Sequence, residues 1–427
     1  TTDKIRLGII GCGGIARGRH LTGLALLKKA GLENFRVTAL CDTSAENLDT
    51  AADYVRRELG GEPERYADWQ ELVAKGAVDA VDVCLPHGLH HVVGIAALGA
   101  GLHVVMEKPY TVSVETGRRL AAAADTSGKV LATAVPHRRT PGQRAVHWAI
   151  NEGRLIGQPR MFFAHYTQWR DQPRSTPDAN LPPAVAWRRD RLMGGGAGVM
   201  DSGFHFLDSI QYFYGQPLQV YAELRAFAPG GADQPPVSGK GIVDEREDTA
   251  VVTFSFQNGV VGTWCWSFQV AGKETRNCVI YGSEGSIEDT GYSNRFVVYH
   301  QFEHNIFEFR GKDGSFLSMS EIHSRMRREL GPERMNELYP NGVTDHFAIE
   351  LWDFLKAVQT GGKPEVDGWG GLATTALVEA IYESAYSGQA VKVADVLQGK
   401  SGPAYHGWQT DIDAHWESQS VPHLRRA

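Results

Sequence analysis

"IRLGIIGCGGIA", residues Ile5–Ala16, joins an apolar run to a glycine-rich turn. The first half is short, β-rich and apolar, which suits a strand buried on both faces of a parallel sheet. The second half holds Gly11-Cys12-Gly13-Gly14-Ile15-Ala16, a G-x-G-x-x-A fingerprint set between that strand and a helix-length segment. Its glycines permit a tight turn and let backbone N–H groups approach a pyrophosphate at the positive end of a helix. Alone the motif is weak, because flavin and other nucleotide binders share it and a glycine-rich turn can be only a turn. Context strengthens it. The next β-rich run, "FRVTALCD" (35–42), ends on Asp42, where a carboxylate can accept hydrogen bonds from ribose hydroxyls and repel a 2′-phosphate. Thr43, Ser44 and Ala45 offer that phosphate no arginine, so NAD is favoured over NADP. The plainer alternative is that Asp42 only starts the following helix.

The same rhythm continues through "AVDAVDVCLP" (77–86), "LHVVMEK" (102–108) and "KVLATAV" (129–135), separated by segments rich in Ala, Leu, Glu and Arg. It predicts an α/β fold with an N-terminal Rossmann domain over 1–135, a doubly wound parallel sheet with crossover helices on both faces. After residue 136 the rhythm changes. "RMFFAHYTQW" (160–169), "TAVVTFSFQ" (249–257), "GVVGTWCWSFQ" (259–269) and "NCVIYGSEGSI" (277–287) follow with turn signals such as Asn258-Gly259. They predict a C-terminal α+β domain over 136–398, built on a large, mostly antiparallel sheet. Within it, 170–191 and 228–241 read as exposed loops. "HFAIELWDFLKAV" places Phe347, Leu351, Phe354, Leu355 and Val358 on one helical face, as a packing helix does. Residues 399–427, with His406, Trp408, His415, Trp416 and His423, read as an arm packed on the domain or on a neighbouring subunit.

Composition narrows the function. The 427 residues carry 43 basic and 50 acidic side chains, a net charge of −7, with no basic run fit for a phosphate backbone, so nucleic acid is not an expected partner. No apolar run approaches the roughly 18 residues of a membrane span, and no charged leader with an apolar stretch opens the chain. Cys12, Cys41, Cys84, Cys265 and Cys278 are odd in number and show no C-x-x-C spacing. They read as free thiols of a reducing compartment, and the expected location is the cytoplasm.

Two further segments carry chemistry. In an open parallel sheet, ligands gather at the carboxyl ends of the strands. "LHVVMEKPY" (102–110) ends a core strand there on Glu107, Lys108 and Pro109. An ammonium at that edge can hydrogen-bond an alcohol or ketone oxygen and stabilise negative charge during hydride movement, and proline fixes the exit of the chain. The plain alternative is a pair of solvated loop charges. In "GGGAGVMDSGFHFLD" (194–208), Asp201 and His205 stand four residues apart, on one face if the segment is helical. A histidine there can exchange the hydroxyl proton while the carboxylate orients it. The alternative is a capping aspartate with a structural histidine. No cysteine or third histidine has zinc-like spacing nearby, so no metal is expected.

These residues together resemble the Gfo/Idh/MocA family, the glucose–fructose oxidoreductase and inositol dehydrogenase relatives. The resemblance spans nearly the whole chain: Gly11–Ala16, "CLPHGLHHVVGIAALGAGLHVVMEKP" (84–109), "WRRDRLMGGGAGVMDSGFHFLD" (187–208), "EDTAVVTFSFQNGVVG" (247–262) and "GLATTALVEAIYESAYSGQAVKV" (371–393). It implies Lys108, Asp201 and His205 as catalytic residues. It implies Gly11, Gly13, Asp42, Leu85, Pro86, His90 and Glu107 as cofactor contacts, with Ile15, Ala16 and Lys108 beside them. It also implies a homo-oligomer, dimer or tetramer, through the C-terminal sheet. Leu85-Pro86-His87 stands where Thr-Pro-Asn is common in the family, and 300–341 and the tail after 399 look like additions.

The expected substrate is a sugar, glycoside or cyclitol oxidised at a secondary alcohol, or the matching ketone reduced, between the domains. Its contacts are sought among His137, Arg138, His165, Tyr166, Trp169, Trp187 and Arg188, since polyols need polar partners for hydroxyls and rings for C–H faces. Two alternatives share the site: a redox-neutral enzyme that holds NAD tightly while cleaving or epimerising a glycoside, and a non-catalytic NAD-dependent sensor.

Overall fold

The computed structural model describes residues 4–169, 183–227, 247–289, 306–399 and 409–419. The chain forms two units. The first comprises Thr1–Arg139, Asn336–Leu372 and Asp413–Ala427, and the second Thr140–Met335 and Ala373–Ile412.

In the first unit six strands form one sheet: β1 (Ile5–Ile10), β2 (Phe35–Cys41), β3 (Glu64–Tyr66), β4 (Ala80–Val83), β5 (His103–Glu107) and β6 (Leu131–Ala134). Their order is β3-β2-β1-β4-β5-β6, and every neighbouring pair is parallel. This is the Rossmann sheet expected from the sequence. The order reverses between β1 and β4, the switch point where such sheets bind ligands.

The first break between the units, after Arg139, lies near the expected division at 136, but the chain returns to the first unit at Asn336–Leu372 and Asp413–Ala427. The helix His346–Thr360, expected in the C-terminal domain, joins the core of the first unit through Ala348, Leu351, Phe354 and Leu355, alongside Leu21, Leu24 and Leu27. The reason is steric as well as apolar. A Cβ on Gly23 would lie 3.1 Å from the Ala348 nitrogen, so the helices cross almost backbone to backbone. From the arm, the helix Thr410–Ser418 is described, and its Trp416 is buried with its ring edge-on to His91, 5.1 Å between centroids. Trp408, His406 and His423 lie outside the described residues.

In the second unit, among the described residues, nine strands form a sheet: β7 (Pro159–Thr167), β8 (Pro217–Arg225), β9 (Thr249–Phe256), β10 (Val261–Ser267), β11 (Thr275–Gly282), β12 (Gly285–Asp289), β13 (Phe307–Gly311), β14 (Phe316–Ser318) and β15 (Val391–Lys392). Their order is β14-β13-β12-β11-β7-β10-β9-β8-β15. All pairs are antiparallel except β7 with β10. One face packs on the helix Gly203–Tyr214: Trp264 stacks on Phe206 at 4.6 Å and Phe162 on Tyr214 at 5.1 Å. The other face leaves Met161, Tyr221, Val251, Val261 and Tyr281 exposed.

Four of the five cysteines are buried, and none of the five is disulfide-bonded. Among the described residues no helix is long and apolar enough to cross a membrane.

Phe354→Ala is expected to destabilise the first unit by about 3–5 kcal/mol, the usual range for a large core truncation. Denaturant unfolding measures it, and a loss below about 1 kcal/mol would remove this helix from the Rossmann core.

Candidate active site

At the end of β1 the chain turns sharply. Gly11 has φ +92°, and a Cβ there would lie 2.2 Å from the Cys84 carbonyl oxygen, so no larger residue fits. A Cβ on Gly13 or Gly14 would meet nothing within 4 Å. That open floor beside a helix start fits a dinucleotide pyrophosphate. Ile15 is exposed and Ala16 is buried where a π-helical turn, Ala16–His20, leads into the helix Leu21–Lys29.

Asp42 does more than begin a helix, since Ser44 is the residue that caps it. The Asp42 carboxylate accepts hydrogen bonds from the Cys12 N–H at 2.8 Å and the Ser44 N–H at 2.8 Å. It therefore ties the glycine turn to the end of β2. Leu85 and Pro86, half-buried, follow β4 at the same carboxyl edge.

Lys108 is half-buried where the chain leaves β5, and its bond to Pro109 is cis. Glu107, expected at the cofactor, is buried and places Oε1 3.1 Å from His20 Nε2. His90, also expected at the cofactor, is fully buried, with its ring nitrogens each 2.9 Å from a backbone carbonyl, those of Leu85 and Pro109. It holds the Lys108-Pro109 segment from below instead of facing a ligand, because the helix His90–Gly99 turns that residue into the core. His137 and Arg138 lie in the turn Pro136–Arg139 after β6, His137 buried edge-on to His346 and Arg138 half-buried.

In the second unit three of the expected residues come together. The Arg188 guanidinium lies 4.4 Å over the Trp187 ring, and its Nε donates to Asp201 Oδ2 at 3.3 Å. Asp201 and His205 do not share a helix face, because the helix begins at Gly203 and Asp201 sits in the turn before it. The preceding glycines explain this: residues 194–198 include Gly196 at φ +154°, a poor helix lead-in. His205, 9 % exposed, lies in the first turn of that helix. His165 and Tyr166 are adjacent on β7 and so point to opposite faces of the sheet. Tyr166 is on the helix-covered face, donating to Gln168 Oε1 at 2.7 Å, and His165 contacts Thr263 at 3.3 Å on the other. Burial lowers the protonation of His165. The pair cannot line one cleft. Trp169, 50 % exposed, pairs with Gln269 just beyond β7.

Residues 5–135 match the model of an oxidoreductase family's NAD-binding Rossmann fold, and residues 149–393 match that family's C-terminal alpha/beta domain. The chain belongs to the Gfo/Idh/MocA oxidoreductase family. It is 28 % identical to levoglucosan dehydrogenase of Pseudarthrobacter phenanthrenivorans over 352 residues, 79 % of this chain and 85 % of that one. It is 26 % identical to D-glucoside 3-dehydrogenase of Escherichia coli over 395 residues, 92 % of this chain and 99 % of that one. Its fold resembles the crystal structure of the WlbA dehydrogenase from Bordetella pertussis, in complex with NADH and UDP-GlcNAcA, with TM-score 0.67, 24 % identity, and 92 % and 98 % of the two chains covered.

In this Gfo/Idh/MocA oxidoreductase, supporting residues that the motifs did not mark hold both segments. The glycine loop before Asp201 is fixed by Glu247 and Tyr382, both buried: Glu247 Oε1 accepts from the Val199 N–H at 2.8 Å and from the Tyr382 hydroxyl at 2.7 Å. That hydroxyl in turn accepts from the Ala197 N–H at 3.1 Å. In the first unit, His20 and Asp82 are fully buried beneath the carboxyl edge. A signal for Asp82 exists in the sequence, since a carboxylate between Val81 and Val83 in an apolar strand must find a partner.

Gly13→Ala should fold with stability within about 1 kcal/mol of the parent and bind the dinucleotide at least roughly tenfold more weakly, about 1.4 kcal/mol. Thermal melting and titration with NAD measure the two quantities. Unchanged affinity would show that the pyrophosphate does not lie on this turn.

Proposed function

We propose that this oxidoreductase oxidises a secondary alcohol of a sugar, glycoside or cyclitol, or reduces the matching ketone, with NAD as its cofactor. The observation that carries the proposal is the placement of Lys108 at the carboxyl end of β5, on the same sheet edge as the glycine turn after β1. The names of the two sugar dehydrogenases quoted above support the substrate class. The Asp42 side chain, at the end of β2, suits the free ribose hydroxyls of NAD and opposes a 2′-phosphate. Bound NAD supplies the hydride acceptor.

The protein's own part is to handle the oxygen and its proton. The Lys108 ammonium donates a hydrogen bond to the substrate oxygen and stabilises negative charge there as it develops. A ring nitrogen of His205 accepts the hydroxyl proton in oxidation and returns it in reduction. Asp201, held by Arg188, keeps the proton-transfer group oriented, while Trp187 and Arg188 offer a ring face and N–H donors to a polyol. Burial of His205 keeps water from competing for its proton.

We also assign a homodimer to the exposed sheet face. Met161, Tyr221, Val251, Val261 and Tyr281 lie on one side of five adjacent strands, an apolar patch of the kind that marks an interface. The free thiols fit a reducing compartment, and we assign the enzyme to the cytoplasm.

Purified protein with NAD is to be offered levoglucosan, methyl glucosides, free pyranoses and myo-inositol while reduced-nicotinamide absorbance is followed. One or more should raise it, and Lys108→Ala should lower that turnover by at least about 100-fold with NAD affinity nearly intact. Undiminished turnover in the variant would sink the assignment of Lys108, and a bound cofactor with no NADH released for any compound would favour redox-neutral catalysis. Val261→Glu should convert a dimer to a monomer by light scattering at equal concentration; a parent chain that is already monomeric would refute the interface.

A further inference from the structure

Beneath the edge that carries Lys108 lies a cluster of ionisable groups that the proposed chemistry leaves unused. His20, Asp82, Cys84, Glu107, Arg139 and Glu350 are all at most 9 % exposed. His20, on the π-helical turn after the glycine loop, is bracketed by two carboxylates. Its Nδ1 lies 2.8 Å from Asp82 Oδ2 on β4, and its Nε2 lies 3.1 Å from Glu107 Oε1 on β5. The Cys84 Sγ lies 3.4 Å from Asp82 Oδ1 and 3.6 Å from His20 Nδ1.

Carboxylates accept hydrogen bonds and do not donate them. A neutral imidazole has one N–H, so it would satisfy one carboxylate and turn a lone pair on the other, in a buried site closed to bulk solvent. An imidazolium satisfies both. The surrounding charges favour that state. Burial pushes the Glu350 carboxyl, 4.0 Å from Arg139, well above its usual range, and burial pushes the Cys84 thiol up, in keeping with its donation to Asp82. The Arg139 guanidinium is taken up by Asp353 at 3.0 Å and Glu365 at 3.4 Å. Phe347, 6.1 Å from His20 between ring centroids, brings no charge. Burial alone would lower the protonation of His20, but the Asp82 charge, the neighbouring Cys84 and the hydrogen bonds to both outweigh it and raise it well above the usual histidine range. His90 is the contrast: its two neighbours are uncharged carbonyls, and there burial prevails and lowers it.

We propose that His20 is a positioning residue for Lys108: as an imidazolium bridging Asp82 and Glu107 it ties β4 to β5 and fixes the strand end from which the lysine projects. The inference rests on the assignment of Lys108 to the substrate oxygen. Losing the bridge leaves two carboxylates without their shared cation and lets the last residue of β5 shift. Misplacement of a reacting group by about 1 Å costs roughly 100-fold in rate.

The test combines one protonation measurement and one kinetic comparison on the full chain. Protein labelled with 15N in its histidine rings is observed by NMR without cofactor between pH 6 and 9 (on the order of the range where free histidine loses its charge), and His20 is assigned by its absence in His20→Gln. Both ring nitrogens of His20 should remain protonated throughout. In parallel, His20→Gln should reduce kcat roughly 10- to 100-fold with the sugar found above, with KM and NAD affinity changed by less than about threefold, because the lost step is orientation and not binding. A role confined to stability would lower the melting temperature and leave kcat unchanged below it. A neutral imidazole pattern at pH 7, or stoichiometric zinc held by His20, Asp82 and Cys84, would overturn the proposal; should His20→Gln fail to fold, the parent protein still reports both, through whether any histidine ring stays doubly protonated to pH 9 and through its zinc content. Normal kcat in His20→Gln beside an inactive Lys108→Ala overturns it while sparing the assignment of Lys108. Normal turnover in Lys108→Ala overturns both.

Discussion

Where β1 meets β2 and β4, backbone groups of three strands converge with no room for a side chain. The Gly11 N–H donates to the Cys41 carbonyl at 2.8 Å, the Cys84 N–H donates to the Ile10 carbonyl at 2.8 Å, and the Gly11 α-carbon faces the Cys84 carbonyl so closely that only hydrogen fits between them. The Asp42 carboxylate closes the arrangement by accepting from the Cys12 N–H. A parallel sheet buries both faces and must satisfy its strand ends locally, so this junction sets both the registry of the strands and the shape of the turn. The open floor at Gly13 and Gly14 follows from it, because the turn has spent its close contacts on the sheet side and left its N–H side uncovered.

The same edge explains why charge enters the core of the first unit. Glu107 stands one residue before Lys108 at the end of β5, and alternation along the strand turns its carboxylate into the core while Lys108 is only half-buried. A buried carboxylate is costly, and the fold sets His20 between this one and a second at Asp82, with one ring nitrogen on each. The arrangement is specific because breaking one member leaves the others buried and unpaired.

The second unit solves a related problem with hydrogen bonds to one buried carboxylate, Glu247. Its glycine loop must hold Asp201 just outside the helix that carries His205, and loops of this composition have little preference of their own. Glu247 and Tyr382 supply the order by binding the loop's N–H groups at Ala197 and Val199. On the other face of the large sheet, Met161, Tyr221, Val251, Val261 and Tyr281 stand exposed on adjacent strands.

The sequence by itself determined the two kinds of sheet, the place of the glycine turn, Asp42 at the end of β2 and Lys108 at the end of β5. Each is a local matter of period, punctuation and strand end, which neighbouring residues encode. The tertiary structure decided what depends on residues far apart in the chain. It put the helix His346–Thr360 into the core of the first unit and turned His90 inward, onto the carbonyls of Leu85 and Pro109. Short strands such as β3, β13 and β14 were hidden for the same reason, since three to five residues carry too little period to be read without their partners. His20 is the clearest case. Nothing in "ARGRH" distinguishes it from a surface histidine, and only the packing of β4 beside β5 brings two carboxylates from residues 62 and 87 positions away to its two nitrogens. Buried charge is a property of the assembled core, because it is the loss of water around all three groups together that makes their pairing matter.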